Sequence, residues 1–280
     1  MDNGEKPQTH FIDTSNASAA RMYDWLLGGT ENYEVDRVAC QELLTIAPST
    51  QQLARSNRDF LRRVVRFLAA EKRITQFLDH GSGLPTQDNV HEVAQRVRPG
   101  AKVVYVDNDP MVLAHARTSL DDNENTMVVD YDMRRTHDIR QATEGFLDWG
   151  EPMAALFVSV LHCLPDTDDE RDPAAVIRAV TDQLVPGSYV VICQLVSDDA
   201  AVRDGVTRLM AKATHDNWGR VRETHEVRRY FDSLEIETPP GLGDVIDWRP
   251  DSPPPPAHLR PTDWVEWGGV GRVPDPAQRP

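Results

Sequence analysis

The sequence predicts an α/β fold in which a parallel sheet carries helices on both faces and a helical extension precedes it. Short runs rich in Val, Ile and Leu recur between residues 74 and 196 and alternate with segments of helical periodicity. Such alternation is typical of βαβ units, whose buried strands lie parallel. Only helical patterns precede residue 73. We therefore expect an N-terminal helical extension over residues 1–72 and an α/β domain over residues 73–280.

The extension opens with a helical pattern that begins at Ser18 and stops at Gly28 and Gly29. Paired glycines directly after a periodic run are a helix-stop signal, because glycine readily adopts the left-handed conformation that ends a helix. Two further helical patterns cover residues 35–44 and 58–70. The extension is therefore expected to be all helical.

The α/β part of the chain alternates predicted strands with predicted helices. Strands are expected over residues 74–79, 102–107, 126–130, 153–161 and 188–196, and helices over residues 89–97, 110–120 and 174–184. Helical stretches then follow from Asp199 and shortly before Phe231, and two last strands are expected over residues 234–248 and 264–273. Four consecutive prolines between those two strands indicate a stiff, extended connection.

The composition favours a small-molecule partner in a reducing compartment. The net charge is −15, which argues against nucleic acid or a membrane surface as a partner. The three cysteines form no CxxC pair and are odd in number, so neither a disulfide framework nor a cysteine zinc site is expected. The first residues lack the apolar core of a signal peptide, and the longest apolar run is too short to span a bilayer. We expect a cytoplasmic protein.

A glycine-rich loop after the first strand, in the stretch FLDHGSGLPT, indicates a ligand site. Asp79 ends that strand, and Gly81 and Gly83 follow it. Asp107 ends the second strand, where a carboxylate is well placed to accept hydrogen bonds from both ribose hydroxyls of an adenosine. These residues predict a nucleoside site. The alternative is that the glycines only form a tight turn and that Asp107 only caps the next helix.

Two adenosine cofactors fit such a loop, and the charges favour one of them. NAD needs its pyrophosphate at a helix N-terminus, usually with a third glycine, but Thr86 occupies that position and Asp79 adds negative charge. S-adenosylmethionine has no phosphate, and an aspartate would attract its ammonium and sulfonium groups. S-adenosylmethionine is therefore the preferred cofactor, and NAD remains the alternative.

The sequence also resembles the S-adenosyl methyltransferase family that was long known only as a domain of unknown function. The matching segments span nearly the whole chain and cover residues 20–37, 77–95, 103–117, 161–166 and 267–274. The resemblance implies a Rossmann-like methyltransferase sheet, mostly parallel with its last strand antiparallel, and S-adenosylhomocysteine as a product. It supplies no acceptor molecule. One departure is His80, where an aliphatic or small residue is expected, so its ring either crowds the loop or packs beside it.

The expected cofactor contacts come from three neighbouring strand ends. Asp132 lies after the third strand, where such folds often place an acid that accepts from the adenine amino group, with Met133 beside the ring. Asp130 competes for that role, and a surface turn is the other interpretation. The full expected set is Asp79, Gly81, Ser82, Gly83, Asp107, Asn108, Asp132 and Met133.

A candidate base and a candidate lid complete the predicted site. His162 follows the fourth strand at the ligand-binding edge, and it is either a base or substrate contact or a structural histidine. We expect no metal, because the His91–Glu92 pair lacks the second histidine of a metalloprotease helix. The helix that begins at Ser18 carries polar and aromatic residues beyond the apolar stripe that an amphipathic helix requires, and we predict that it forms a lid over the site. The alternative is a helix that only docks the extension onto the rest of the protein. The lid residues are Arg21, Tyr23, Asp24, Gly28, Gly29 and Asn32.

A stripe of arginines at residues 58, 62 and 66 lies on one predicted helix face. It either holds an anionic substrate or pairs with the chain's many acids. Together these patterns favour an S-adenosylmethionine-dependent methyltransferase with a small-molecule acceptor. The alternatives are a protein that senses S-adenosylmethionine without turnover and, less favoured, an NAD-dependent oxidoreductase.

Overall fold

A computed structural model of the protein describes residues 12–120 and 123–275, and its central feature is an eight-stranded sheet. The strand order is β3-β2-β1-β4-β5-β8-β6, and β7 also pairs with β8. Strands β1 to β5 run parallel, whereas β8 is antiparallel to β5. The strands are β1 Gln76–His80, β2 Lys102–Asp107, β3 Thr126–Asp130, β4 Ala154–Val158, β5 Tyr189–Val196, β6 Glu235–Ile236, β7 Gly243–Asp244 and β8 Val265–Arg272. The predicted fold class is confirmed.

Helices cover both faces of this sheet. On one face Phe60, Val64 and Leu68 of the third helix pack with strand residues such as Phe77. On the other face the core includes helix residues such as Val176. The helices are α1 Ala19–Leu27, α2 Glu34–Ile46, α3 Thr50–Ala70, α4 Val90–Val97, α5 Pro110–Leu120, α6 Thr136–Thr143, α7 Pro173–Gln183, α8 Ala200–Ala213 and α9 Thr224–Arg228.

The N-terminal extension is helical, as predicted, and its parts pack in two places. Helices α1 and α2 and the start of α3 form a hydrophobic cluster with α8, which includes Met22, Leu43 and Val206. The remainder of α3 packs against the sheet. Residues 12–72 thus share hydrophobic cores with the α/β part of the chain, while a division at residue 72 stays a prediction. Residues 1–11 lie outside the described part.

The predicted strand over residues 234–248 is wrong for most of its length. Only the two-residue strands β6 and β7 form there, and residues Val245–Asp247 form a 3-10 helix. The Asp244 side chain accepts a hydrogen bond from the Ile246 N–H, which starts this helical turn. Trp248 then packs edge-on against Phe60 and Phe67 of α3, with ring centroids 5.5 and 5.3 Å away. The apolar residues of this segment therefore face α3 instead of extending the sheet.

Helix α6 has no counterpart among the predicted elements, since its sequence THDIRQAT buries only Ile139 and Thr143. Among residues 12–120 and 123–275, no helix combines the length and the apolar composition needed to cross a membrane.

Candidate functional site

A cavity of about 640 Å³ lies at the carboxyl edge of strands β1, β2 and β4, beneath helices α1 and α3. Its wall combines loop residues of the sheet edge with side chains of the N-terminal extension. The predicted site residues that line it are Arg21, Tyr23, Asp24, Asp79, Gly81, Ser82, Gly83, Asp107, Asn108, Asp132, Met133 and His162. Gly28, Gly29 and Asn32 are not part of this wall.

The loop after β1 needs its two glycines for different reasons. Gly81 has φ of 67°, and a Cβ added there would lie 2.2 Å from Val160 Cγ2, so a larger residue cannot fit without movement. Its N–H donates to the Val106 carbonyl at 2.8 Å. Gly83 has φ of 66°, but a Cβ there would meet no atom of the described residues within 4 Å. The backbone at Gly83 is therefore open to close approach by a ligand.

Asp107 fixes the shape of this loop. Its Oδ2 accepts from the Gly83 N–H at 2.9 Å, and its Oδ1 accepts from the N–H groups of Asn108 and Asp109, each at 2.9 Å. Burial raises the pKa of the carboxyl, and these hydrogen bonds oppose the rise. A carboxylate has about four acceptor positions. Asp107 is thus a structural cap of this loop, and its Oδ2 keeps one further acceptor position.

Asp79 is a buried carboxylate at the bottom of the same loop. No N–H or O–H among the described residues donates a hydrogen bond to it. Burial raises its pKa to about 7, the charge of Arg58 opposes the rise, and Asp107 adds to it. Since a buried anion is costly without a partner, this position favours a ligand that brings a positive charge. The ammonium of S-adenosylmethionine fits that requirement.

The residues after β3 form the rim of the cavity. Asp132 forms an ion pair with Arg134 and also accepts from the Arg134 N–H at 2.9 Å. Burial raises the pKa of Asp132, but Arg134 more than offsets this and holds it below its usual range. Met133 lies close to the loop, with its Cε 3.2 Å from the Cβ position of Gly81. Asp130, the competing acid, is exposed and lies outside the cavity wall.

His80 and His162 are both buried and neutral. The His80 ring stacks on Phe157 with centroids 4.3 Å apart, so it packs beside the loop without crowding it. The His162 ring lies 4.9 Å from that of Trp218. Burial and the nearby charge of Arg222 lower the pKa of His162 to about 3. At neutral pH His162 therefore offers a hydrogen-bonding ring and is a weak base.

Two side chains of α1 that line the cavity also form hydrogen bonds with neighbouring segments. The Tyr23 hydroxyl donates to the Ala54 carbonyl at 3.0 Å and accepts from Asn57 Nδ2 at 2.8 Å. Arg21 donates from Nε to Asp36 at 2.8 Å, and its other nitrogens donate to the Asp13 and Asn16 carbonyls. Helix α1 is thus docked by polar contacts and also presents Arg21 and Tyr23 to the cavity.

The remaining predicted lid residues form the bend after α1. Gly28 ends the helix with φ of 85°. The Asn32 amide donates to Asp24 Oδ2 at 2.8 Å and to the Gly29 carbonyl at 3.0 Å. A Cβ at Gly29 would lie 2.0 Å from Asp24 Oδ1, so this contact requires glycine. Gly28, Gly29 and Asn32 therefore shape the bend and do not face the cavity.

Several cavity residues were not predicted from the sequence. Glu266 of β8 is buried, and its Oε1 accepts from the Ser159 hydroxyl at 2.6 Å. Burial raises its pKa to about 7. The signal that could have found it is an acid next to the apolar residues of β8. Trp218 and Trp264 also line this part of the wall, and nothing in their local sequence marks them.

The arginine stripe of α3 mostly pairs with acids. Arg62 pairs with Asp59 and Asp88, and Arg66 pairs with Asp251. Arg58 instead donates to two backbone carbonyls at 3.2 Å and lines the cavity. Within the described part of the chain, no cluster of three or more His, Cys, Asp or Glu side chains could hold a metal ion.

Two solved structures resemble this chain over nearly its whole length. A proposed methyltransferase from Thermobifida fusca is 38% identical, with 94% of this chain and 97% of that chain covered and a TM-score of 0.85. A DUF574 family protein from Streptomyces avermitilis is 34% identical, with 94% and 100% covered and a TM-score of 0.84. A search of curated proteins gives no match. The model of the S-adenosyl methyltransferase family matches residues 5–274, and the chain belongs to that family.

Proposed function

We propose that the protein binds S-adenosylmethionine at the loop after β1 and transfers its methyl group to a small-molecule acceptor held in the same cavity. The observation that carries this proposal is the buried Asp79 carboxylate, which lacks a donor among the described residues and lines the cavity beside the open backbone of Gly83. Family membership supplies the class of reaction.

The residues of the loop and the strand ends suit each part of the cofactor. Asp107 Oδ2 keeps an acceptor position for a ribose hydroxyl, and Gly83 leaves room for the nucleoside. Asp132 and Met133 lie at the rim, where they would contact the adenine. Asp79 would pair with the ammonium, and Arg58 is the nearby cation that would face the carboxylate. When bound, the cofactor supplies a methyl carbon activated by a positively charged sulfur.

The protein's own part in the reaction is to position the acceptor and exclude water. Helices α1 and α3 cover the cavity, and Tyr23 is held by hydrogen bonds to Ala54 and Asn57 of α3. Transfer to a positioned acceptor gains mainly from proximity and alignment. His162 is neutral at physiological pH and would orient the acceptor through a hydrogen bond, in line with its predicted role as a substrate contact.

The two alternative functions, an NAD-dependent oxidoreductase and a non-catalytic sensor of S-adenosylmethionine, require different features of the site. NAD would bring its pyrophosphate close to Asp79 and Asp107, which is electrostatically unfavourable. A non-catalytic sensor would need the cofactor site but not an acceptor compartment beside it. The acidic composition supports a small-molecule acceptor over nucleic acid. A cytoplasmic location stays a prediction from the cysteine pattern.

Isothermal titration calorimetry with S-adenosylmethionine, S-adenosylhomocysteine and NAD tests the proposal. We expect both S-adenosyl compounds to bind more tightly than NAD. Asp79→Asn should weaken both by about tenfold or more, because it removes a charge-assisted contact. Asp130→Asn is the matched control, since Asp130 is an acid of the same sheet edge outside the cavity wall. Tighter binding of NAD, or equal effects of the two substitutions, would refute the proposal.

A further inference from the structure

Four buried polar atoms on the cavity wall, none of them in the loop after β1, lack a hydrogen-bond partner in the described part of the chain. They are Glu266 Oε2, Trp264 Nε1, Trp218 Nε1 and His162 Nδ1. Buried polar atoms in folded proteins are nearly always hydrogen bonded, and each exception needs a reason. Four exceptions around one cavity indicate that a ligand completes their hydrogen bonds.

One carboxylate oxygen of Glu266 accepts a hydrogen bond, whereas the other has no donor among the described residues. It lies opposite Leu195 of β5 in the antiparallel pairing of β8, and both residues line the cavity. Ser159 donates to Oε1 and has φ of 57°, a left-handed conformation that is unfavourable for a residue with a side chain. Such strain is often found where a site fixes a group in place. Ser159 thus orients Glu266 and leaves Oε2 for another donor.

Two tryptophans and a histidine line the same cavity as this carboxylate. Trp264 lies directly before β8 and two positions before Glu266, and both residues are buried and line the cavity. Trp218 packs against the His162 ring from another part of the wall. Indole and imidazole rings favour flat partners, and their N–H groups can donate to a polar atom of such a partner. The wall therefore combines flat apolar surfaces with one acceptor and two donors that have no partner among residues 12–120 and 123–275.

We infer that this wall, which we call the acceptor wall and define as Ser159, His162, Trp218, Trp264 and Glu266, binds a planar aromatic acceptor whose reactive atom carries an N–H or O–H. The inference rests on the proposed function and names its substrate class. Glu266 accepts the proton of the reactive atom. The acceptor's heteroatom forms a bond to the methyl carbon with its own electron pair while the carbon–sulfur bond breaks. The electron pair of that bond stays on sulfur, and the proton passes to the Glu266 carboxylate.

The groups around Glu266 suit it to take a proton near neutral pH. Burial raises its pKa to about 7, and the charge of Asp244 of β7 adds to the rise. The hydrogen bond from Ser159 opposes the rise, as does the nearby Cys193 thiol, which itself donates to Asn57 at 3.2 Å. Tyr23 of α1 also interacts with Glu266 through its charge. A carboxylate whose pKa lies near the working pH is an effective general base.

The test uses protein saturated with S-adenosylhomocysteine, titrated calorimetrically with phenol, aniline and indole. Each is paired with its methylated counterpart that lacks the donor: anisole, N,N-dimethylaniline and N-methylindole. We expect at least one donor-bearing compound to bind tenfold or more tightly than its counterpart in the wild type. Glu266→Gln should abolish this preference, while Glu235→Gln, which alters an acid of β6 outside the cavity wall, should keep it.

Trp264→Phe provides a second variant that keeps an aromatic ring, although a smaller one, and removes the indole N–H. It should weaken the donor-bearing compound several-fold and leave the affinity for S-adenosylhomocysteine unchanged. It decides the question if Glu266→Gln does not fold. Three results would overturn the inference while sparing the proposed function: binding of S-adenosylhomocysteine without any preference for donor-bearing compounds, a preference that survives in Glu266→Gln, or an unchanged affinity for the donor-bearing compound in Trp264→Phe. Failure of the wild type to bind S-adenosylhomocysteine would overturn the proposed function, and the inference with it.

Discussion

Two buried acids, Asp79 and Glu266, line one cavity, and each has a pKa raised to about 7 by burial. A raised pKa means that the folded state holds a proton that the unfolded state has already released. The folded state is therefore destabilised as pH rises through 7, by on the order of 3 kcal/mol for each acid once fully ionised. We expect a bound cation at Asp79 and a hydrogen-bond donor at Glu266 to reduce this destabilisation.

The first prediction is that the free energy of unfolding falls as pH rises from 6.5 to 8. Below that window His80 and His162, whose pKa values burial lowers to about 4 and about 3, cause the opposite dependence, because the unfolded state then binds their protons. Urea unfolding at the two pH values measures the slope. Asp79→Asn and Glu266→Gln should each flatten it. An unchanged slope in both variants would mean that these acids are ionised and solvated in the folded protein.

The second prediction concerns Asp107, which caps the loop after β1 and which we propose as the ribose contact. Asp107→Asn keeps one acceptor oxygen but replaces the other with an amide that cannot accept. We expect the affinity for S-adenosylhomocysteine to fall about tenfold to a hundredfold, with a loss of stability of about 1–2 kcal/mol from the weakened loop contacts. Calorimetry and urea unfolding of the same sample separate the two effects. Lost stability with full affinity would leave Asp107 as a loop cap alone.

The third prediction separates the two glycines of the loop. Gly81→Ala and Gly83→Ala share the strain of a left-handed backbone, about 1–2 kcal/mol. Only Gly81→Ala adds a clash, with Val160, so its loss of stability should be larger by about 1–3 kcal/mol. Gly83→Ala should fold with a modest loss and weaken S-adenosylhomocysteine strongly. Equal stabilities of the two variants, measured by urea unfolding, would contradict this assignment.

At the scale of elements, α1 is positioned by a buried ion pair. The Arg21 and Asp36 side chains are 4% and 0% exposed, and Asp36 also accepts from the N–H groups of Ser18 and Tyr33. A second link joins Ser18 to the loop after β2, because the Ser18 hydroxyl donates to Asp109 at 2.6 Å. Through these contacts the start of α1 is fixed against the predicted ribose site, as a cover for that site requires.

The fourth prediction is that Arg21→Met destabilises the protein by about 3–5 kcal/mol, because it leaves the Asp36 charge buried and unpaired. Affinity for S-adenosylhomocysteine should fall as well, since α1 lines the cavity. Glu34→Gln is the control, because its pair with Arg37 is exposed and contributes a few tenths of a kcal/mol at most. Thermal unfolding compares the two variants. A loss no larger than that of the control would show that α1 is not fixed by this pair.

Elements with a clear local pattern were predictable. Strands β2 and β3 and helix α5 have the predicted bounds, because their apolar runs or capping proline mark both ends. Elements decided by distant packing were not, and Trp248 illustrates the reason. Its segment has the composition of a strand, yet its ring is buried against α3, nearly two hundred residues earlier in the chain.

At the scale of the whole molecule, the loop side of the cavity could be predicted from the sequence, whereas only His162 of the acceptor wall could be. The loop after β1 and the acid of β2 are short-range patterns, and both line the cavity as the sequence suggested. The contact between Ser159 and Glu266 joins residues 107 positions apart. The pairing of β8 between β5 and β6 alone brings that acid to the cavity. The acceptor wall is therefore a product of topology.

The central claim is that one cavity holds the cofactor at the loop after β1 and the acceptor at Glu266. A crystal structure of the complex with S-adenosylhomocysteine tests it most directly. We predict the ribose within hydrogen-bonding distance of Asp107, the ammonium at Asp79 and the sulfur open toward the acceptor wall. A cofactor bound elsewhere, or a sulfur that faces away from Glu266 and Trp264, would contradict the account.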